Sequence, residues 1–143
     1  MRRIAAVVTT VVLSLTVLAA CAGGSEYCDS VDKNQKTLNT FGEERTNKAY
    51  ANYAKVFTSI SGQAPKEVRA DWTKLASATK GVTSAHDSVG LKLEEMSDTK
   101  KLATVESADL TKLNNAYKAF NDTAKERAAV VKNVKQECKI TLK

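Results

Sequence analysis

After Ala64-Pro65, core-type positions recur in alternating steps of four and three: Val68, Trp72, Leu75, Thr79, Val82, His86 and Val89. That spacing puts all of them on one face of an α-helix, so the stripe predicts a helix with a buried inner side. Pro65 suits its first turn, where a missing N–H would have no partner anyway. Gly90 followed by Leu91 fits a C-terminal stop with its hydrophobic contact. Gly81 lies inside the run and weakens it by about 1 kcal/mol relative to Ala.

A second stripe, Leu110, Leu113, Tyr117, Phe120, Ala124, Val131, Val134 and Cys138, predicts one closing helix of about thirty residues starting near Ser107 or Asp109. Arg127 falls on this stripe, and Ala128 beside it is expected to share the contact. Between Gly90 and Ser107 the apolar residues Leu93, Met96, Leu102 and Val105 hold no sustained phase, which predicts a loop with short helical turns. Nearer the start, Tyr27, Val31 and Leu38 suggest one helix and Tyr50, Tyr53, Phe57 and Ile60 another. Gly42 lies between them, and Thr40 to Glu43 has the spacing of a capping box.

The N-terminus reads as an address. Arg2 and Arg3 precede an uncharged run from Ile4 to Ala20 that ends in Leu18-Ala19-Ala20-Cys21, the order of a secretory signal. The run carries Thr9, Thr10, Ser14 and Thr16 and falls short of the roughly 20 predominantly apolar residues a transmembrane helix needs. Leu18 to Cys21 match the bacterial lipobox. In that family the thiol, here Cys21, receives a diacylglycerol, the chain is cut before it, and the new amino group is often acylated as well. Residues 1–20 are therefore expected to be a lipoprotein signal, and 21–26 a lipidated cysteine with a short tether.

With Cys21 assigned to lipid, Cys28 and Cys138 remain as an even pair in an oxidising compartment and are expected to form a disulfide. A loop of about 100 residues closed in this way gives roughly 4.7 kcal/mol in the chain-entropy model. No Cys-x-x-Cys spacing is present, and a single His cannot complete a structural zinc set, so no metal site or cofactor is expected. The pairing also decides the topology. Three long helices would leave Cys28 and Cys138 at opposite ends, whereas a chain reversal near Gly42 brings them together. The expected fold is all-α: an up-down-up-down four-helix bundle over 27–143, stapled by one disulfide.

Composition narrows the function. At 43% hydrophobic and 27% charged residues the chain can bury a core. One Pro and six Gly are too few to turn the many strands of a β-sandwich or barrel. The net charge of +6 falls by two once Arg2 and Arg3 are removed, which is too mild for the clustered footprint of a nucleic-acid binder.

Several short motifs together resemble a group of small, uncharacterised actinobacterial lipoproteins: Tyr27-Cys28 after a lipobox, Ala64-Pro65 with Glu67-Val68, Asp71-Trp72, Gly90-Leu91, and the closing Cys138-Lys139-Ile140-Thr141-Leu142. In that group a Tyr-Cys start, Ala-Pro-x-Glu-Val before Asp-Trp, and a Cys-x-Ile-x-Leu end recur. The likeness spans nearly the whole mature chain and implies a secreted lipoprotein, without implying a reaction. This chain is shorter between its first two helices, and richer in lysine, than typical members.

Three groups of residues have the types that could carry chemistry. Ser84, His86, Asp87 and Ser88 hold the residue types of a hydrolase triad, but neighbours one or two apart on a helix do not face each other, and His86 falls on the core stripe. The pairs Glu43-Glu44 and Glu94-Glu95 read as solvated helix faces. Asp71-Trp72 is the remaining candidate, either a packing element whose indole N–H finds an acceptor or a ligand-facing tryptophan. No catalytic residues are assigned.

The expected role is a non-enzymatic interaction module on the outer face of the cell membrane, with an envelope protein as partner. The alternative is a carrier of a lipid or small hydrophobic ligand in the bundle core. Cys28 can stand at most roughly 25 Å from Cys21, at about 3.5 Å per residue, which holds the disulfide end near the membrane. Lys132, Lys135, Lys139 and Lys143 are expected there, complementing a helix C-terminus and touching anionic headgroups.

Overall fold

The computed structural model describes residues 25–143. The signal segment, Cys21 and most of the tether lie outside the described residues. Among the described residues the structure is helical, without strands. Helix α1 (Glu26–Lys33) begins where the Ser25 side chain accepts the Cys28 N–H. Asn34 interrupts it, its side chain bonding back to the Ser30 carbonyl at 2.8 Å, and α2 (Gln35–Asn39) follows. A turn with Gly42 at φ +85° leads to α3 (Asn47–Gln63). The chain reverses near Gly42, as the cysteine pairing requires.

Helix α3 passes directly into α4 (Lys66–Val89) through a corner in which Ala64 is fully buried. Arg69 closes that corner, donating through Nε and Nη2 to the Ala64 carbonyl at 3.0 and 2.8 Å. Helix α4 ends at Gly90, in the left-handed region at φ +68°, with Leu91 buried behind it, as the Gly-Leu pair predicts. A 3₁₀ turn (Leu93–Glu95) and a one-turn helix α5 (Thr99–Leu102) lead into α6 (Ser107–Asn121) and α7 (Ala124–Cys138).

Helices α3 and α4 run antiparallel: Asn47 at the start of α3 bonds Asp87 near the end of α4, while Phe57 meets Trp72 at 5.8 Å between ring centroids. Helix α4 runs antiparallel to α6 and α7 in turn, through His86 with Tyr117 and Lys74 with Glu126. Cys28 and Cys138 form the disulfide, Cα to Cα 5.2 Å.

Three local expectations are corrected. The helix after Gly42 does not start at the Thr40 to Glu43 box. Thr40 terminates α2, its hydroxyl donating back to the Lys36 carbonyl, and Tyr53 Oη pins the Thr40 carbonyl at 2.6 Å; the N-cap is Thr46, which accepts the Ala49 N–H. The closing helix is not continuous. It breaks at residues 122–123, where fully buried Thr123 (0% exposed) donates its hydroxyl to the Phe120 carbonyl at 2.6 Å and competes with the helical ladder.

Beyond that break the buried positions also differ from the expected stripe. Val130 rather than Val131 is fully buried and Ala128 is exposed. At the other end of the stripe Leu110 is 41% exposed. Tyr117 stands opposite His86 near the end of α4, so Leu110, two turns earlier, lies past the helix it was expected to meet.

The last residues fold back. Lys139 adopts φ +58°, Leu142 inserts into the core, and the Lys143 N–H bonds Asn39 Oδ1 at 2.9 Å. Burying one leucine contributes roughly 1.5–3 kcal/mol toward the cost of ordering the tail, which the disulfide at Cys138 and the bond to Asn39 also share.

Because the bridge joins positions 110 residues apart, replacing both Cys28 and Cys138 by Ser is expected to lower stability by roughly 2–5 kcal/mol. Urea unfolding of the oxidised protein against the double variant measures this; an unchanged midpoint would mean that packing alone holds the two ends together.

Candidate functional site

Of the sequence candidates, Trp72 is the one around which the structure gathers other elements. It is 1% exposed, and its indole N–H donates to Tyr27 Oη at 3.2 Å. That phenol donates in turn to Asn133 Oδ1 at 2.9 Å. One chain of hydrogen bonds thus joins α4, α1 and α7, one turn or so inward from the disulfide. Burial pushes the Tyr27 hydroxyl above the usual phenol range, the bond from Trp72 opposes it, and the Glu137 charge raises it further. Asp71, half-buried on the neighbouring face of α4, has no place in this chain, so the Asp-Trp pair does not act as a unit.

A cleft of about 210 Å³ opens on the other side of the indole. Its floor is Trp72, Leu75 and Phe57; α7 supplies Val130, Val131 and Arg127, and the folded-back tail supplies Leu142 and Lys143. Phe41, from the turn before Gly42, and Leu38 close the far side. Phe41 also packs edge-on against Phe57 and Tyr53, at 4.9 and 5.1 Å. A dry apolar cavity of about 150 Å³ holds a benzene ring, so this cleft takes one ring or a short alkyl segment, and a drug-sized ligand, which needs roughly 300–1,000 Å³, would not fit inside it.

The hydrolase-type residues are not brought together. His86 is 0% exposed and bonded at both ring nitrogens, Nδ1 with the Leu91 carbonyl at 2.6 Å and Nε2 with Tyr117 Oη at 2.8 Å. It ties the end of α4 to the loop that follows and to α6. Asp87 turns away to accept from the Asn47 side chain at 3.0 Å, and Ser88 bonds its own helix at the Ala85 carbonyl. Ser84 is exposed.

The acidic pairs are likewise occupied locally. Glu94 accepts the Asn47 N–H at 3.0 Å, while Asn47 Oδ1 accepts the Leu93 N–H, so Asn47 clamps the two loops at this end of the molecule. Glu95 accepts from Lys92 N–H and from the Lys101 ammonium. Glu43 and Glu44 are exposed, and Glu44 accepts from Thr46 Oγ1. Beneath the clamp a second cavity of about 470 Å³ is lined by Arg45, Tyr50, Tyr117, Phe120 and Met96 among others. Periodicity marked Tyr50, Tyr117 and Phe120 only as core, and Arg45 carried no signal.

The lysines divide. Lys132 and Lys135 are exposed on the last turns of α7, and Lys139 Nζ caps the helix end at the Gln136 carbonyl, 2.7 Å away. Lys143 departs from expectation. The tail carries it away from the disulfide to Asn39, at the level of Arg127 and Val131 on α7.

Among the described residues no three His, Cys, Asp or Glu side chains cluster to hold a metal, and no helix is long and apolar enough to cross a membrane. A scan of protein-family models, a search of curated proteins and a search of solved structures each found no match.

Two expected outcomes follow from these bonds. His86→Phe puts a slightly larger ring without polar atoms in the site, strands the Leu91 carbonyl and frees Tyr117 Oη, and is expected to cost about 1–3 kcal/mol by urea unfolding; no loss would mean that these two bonds add nothing net to stability.

The second concerns acid. The carboxyl groups of Glu94, Glu95 and Glu126 are held below the ordinary glutamate range, chiefly by the Asn47 N–H, the Lys101 ammonium and the Lys74 ammonium respectively. A carboxyl with a depressed folded-state pKa gives stability that is present above its unfolded pKa and lost as pH falls through the folded one. The melting temperature is therefore expected to fall between about pH 5 and pH 3, with a shallower fall in Glu126→Gln.

Proposed function

We propose that this chain is a lipid-anchored, extracytoplasmic lipoprotein that serves as a non-enzymatic binding module of the cell envelope. The observation that carries the reading is the Cys28–Cys138 disulfide. Bridges of this kind persist in oxidising compartments, and with both partners consumed, Cys21 is the odd cysteine of three, at the lipobox position. Residues 1–20 then act as the signal, and Cys21 bears a diacylglycerol and an N-acyl group. The actinobacterial lipoprotein group, with its Tyr-Cys start and Cys-x-Ile-x-Leu end, is the family this reading favours.

In this reading α1 with α2, and α6 with α7, each count as one interrupted helix, giving a four-helix up-down-up-down bundle. The short tether keeps the disulfide end at the membrane. Lys132, Lys135 and Lys139 face anionic headgroups there at about 1 kcal/mol each when close to the surface, partly offset by Glu26, Asp29 and Glu137. The loops clamped by Asn47 point outward, where an envelope partner would be met. The cleft beside Trp72 favours a second reading, a carrier for a small apolar group.

Intact mass of the membrane-fraction protein tests the anchor. A species beginning at Cys21 with added acyl mass is expected; one that begins at Cys21 without it, or that retains Met1, would refute the anchor.

A further inference from the structure

We infer that the cleft beside Trp72 accepts the apolar end of an anionic amphiphile, with the head group held by Arg127. The inference rests on the carrier reading and adds the ligand's chemistry to it. The walls around Trp72, Leu75 and Val130 are hydrocarbon and aromatic, so what enters must be apolar. The charged side chains of the lining are Arg127 and Lys143, both cations, and no Asp or Glu side chain lines it.

Arg127 is half-buried, its guanidinium carbon 5.7 Å from the centroid of the Phe120 ring. The ion pairs among the described residues join Lys74 to Glu126, Lys101 to Glu95 and Lys112 to Asp109. Arg127 is in none of them. Even the adjacent carboxylate, Glu126, is directed to Lys74 on α4. A guanidinium packed on an aromatic face, partly withdrawn from water and without an anionic partner is arranged to take one, and its planar fork matches a carboxylate or a phosphate.

The occupant is therefore an alkyl or aryl group of a few carbons or one ring joined to a carboxylate or phosphate. A longer chain would have to leave the cleft past Phe41 or Leu142, the apolar flanking side chains carried by a turn and a tail rather than by a helix.

The protein supplies its own reporter, because Trp72 is its single tryptophan and forms the cleft floor. The full-length protein in phosphatidylcholine vesicles is titrated with hexanoate, hexyl phosphate, hexanol and hexyltrimethylammonium, each referenced to its free aqueous concentration. Saturable change in Trp72 emission is expected with either anion, at least about tenfold tighter than with the neutral or cationic probe, from the worth of a charge-assisted hydrogen bond.

Arg127→Gln should bring the anions to the level of hexanol while leaving the binding of hexanol itself unchanged. Val131→Phe, which fills the cleft from α7, should abolish the response to all four probes. Equal binding of hexanol and hexanoate, or no effect of Arg127→Gln, would overturn the anionic head while leaving the carrier reading in place. No saturable response to any probe, or a response untouched by Val131→Phe, would overturn both.

Discussion

The link between Cys28 and Cys138 is the constraint on which the arrangement turns, because it fixes the first helix against the end of the last. Packing then repeats the same closure a turn inward. Tyr27, adjacent to Cys28, accepts from Trp72 on α4 and donates to Asn133 on α7, so the three elements meet through directional bonds as well as hydrophobic contact. The covalent link contributes chiefly by restricting the unfolded chain. The hydrogen bonds act differently: with the indole nearly inaccessible to water, a missing partner would leave a buried donor at a cost of about 1–3 kcal/mol. Together they set the depth at which Trp72 sits, and with it the floor of the cleft.

At the opposite end no covalent bond is available, and polar side chains do the joining. Asn47 satisfies Leu93 N–H through its carbonyl and Asp87 through its amide, while its own N–H goes to Glu94. His86 performs a similar task a turn away, spanning Leu91 and Tyr117. Both residues stand close to a helix end, where backbone groups lack intrahelical partners. What looks in one dimension like a run of catalytic types is therefore a set of loop fasteners.

Helix α4 was legible from the sequence because all its cues agree: a sustained stripe, Pro65 before the first turn and Gly90 in the left-handed region after the last. The disulfide was legible from cysteine parity, and the reversal near Gly42 from the disulfide. What escaped was decided by tertiary contact. Thr40 and Thr46 are equally good caps by type, and the choice fell to Tyr53, which holds the Thr40 carbonyl. The break at Thr123 has no Gly or Pro to announce it. A threonine inside a helix ordinarily bonds back without ending it, as Thr79 does at the Leu75 carbonyl. The closing pentapeptide was recognised only as a motif, although Ile140 and Leu142 alternate with polar residues in the way of an extended segment laid on a core.

The folded-back tail completes the cleft, which is why the pattern of apolar positions marked its helical lining but not its closed side. The buried positions Phe120, Thr123, Val130 and Val134 keep helical spacing across residues 122–123. That spacing puts Val130 inside and leaves Ala128 outside. Arg127, already on the expected stripe, stands at the cleft wall with its guanidinium near Phe120 from the preceding helix. The tail, tied to Asn39, brings Leu142 into the core and Lys143 to the opposite side of the cleft. Close packing is the rule in protein interiors. Beside the largest side chain of the core that rule is relaxed, and there a hydrocarbon wall and a cation outside every ion pair among the described residues favour the same kind of guest.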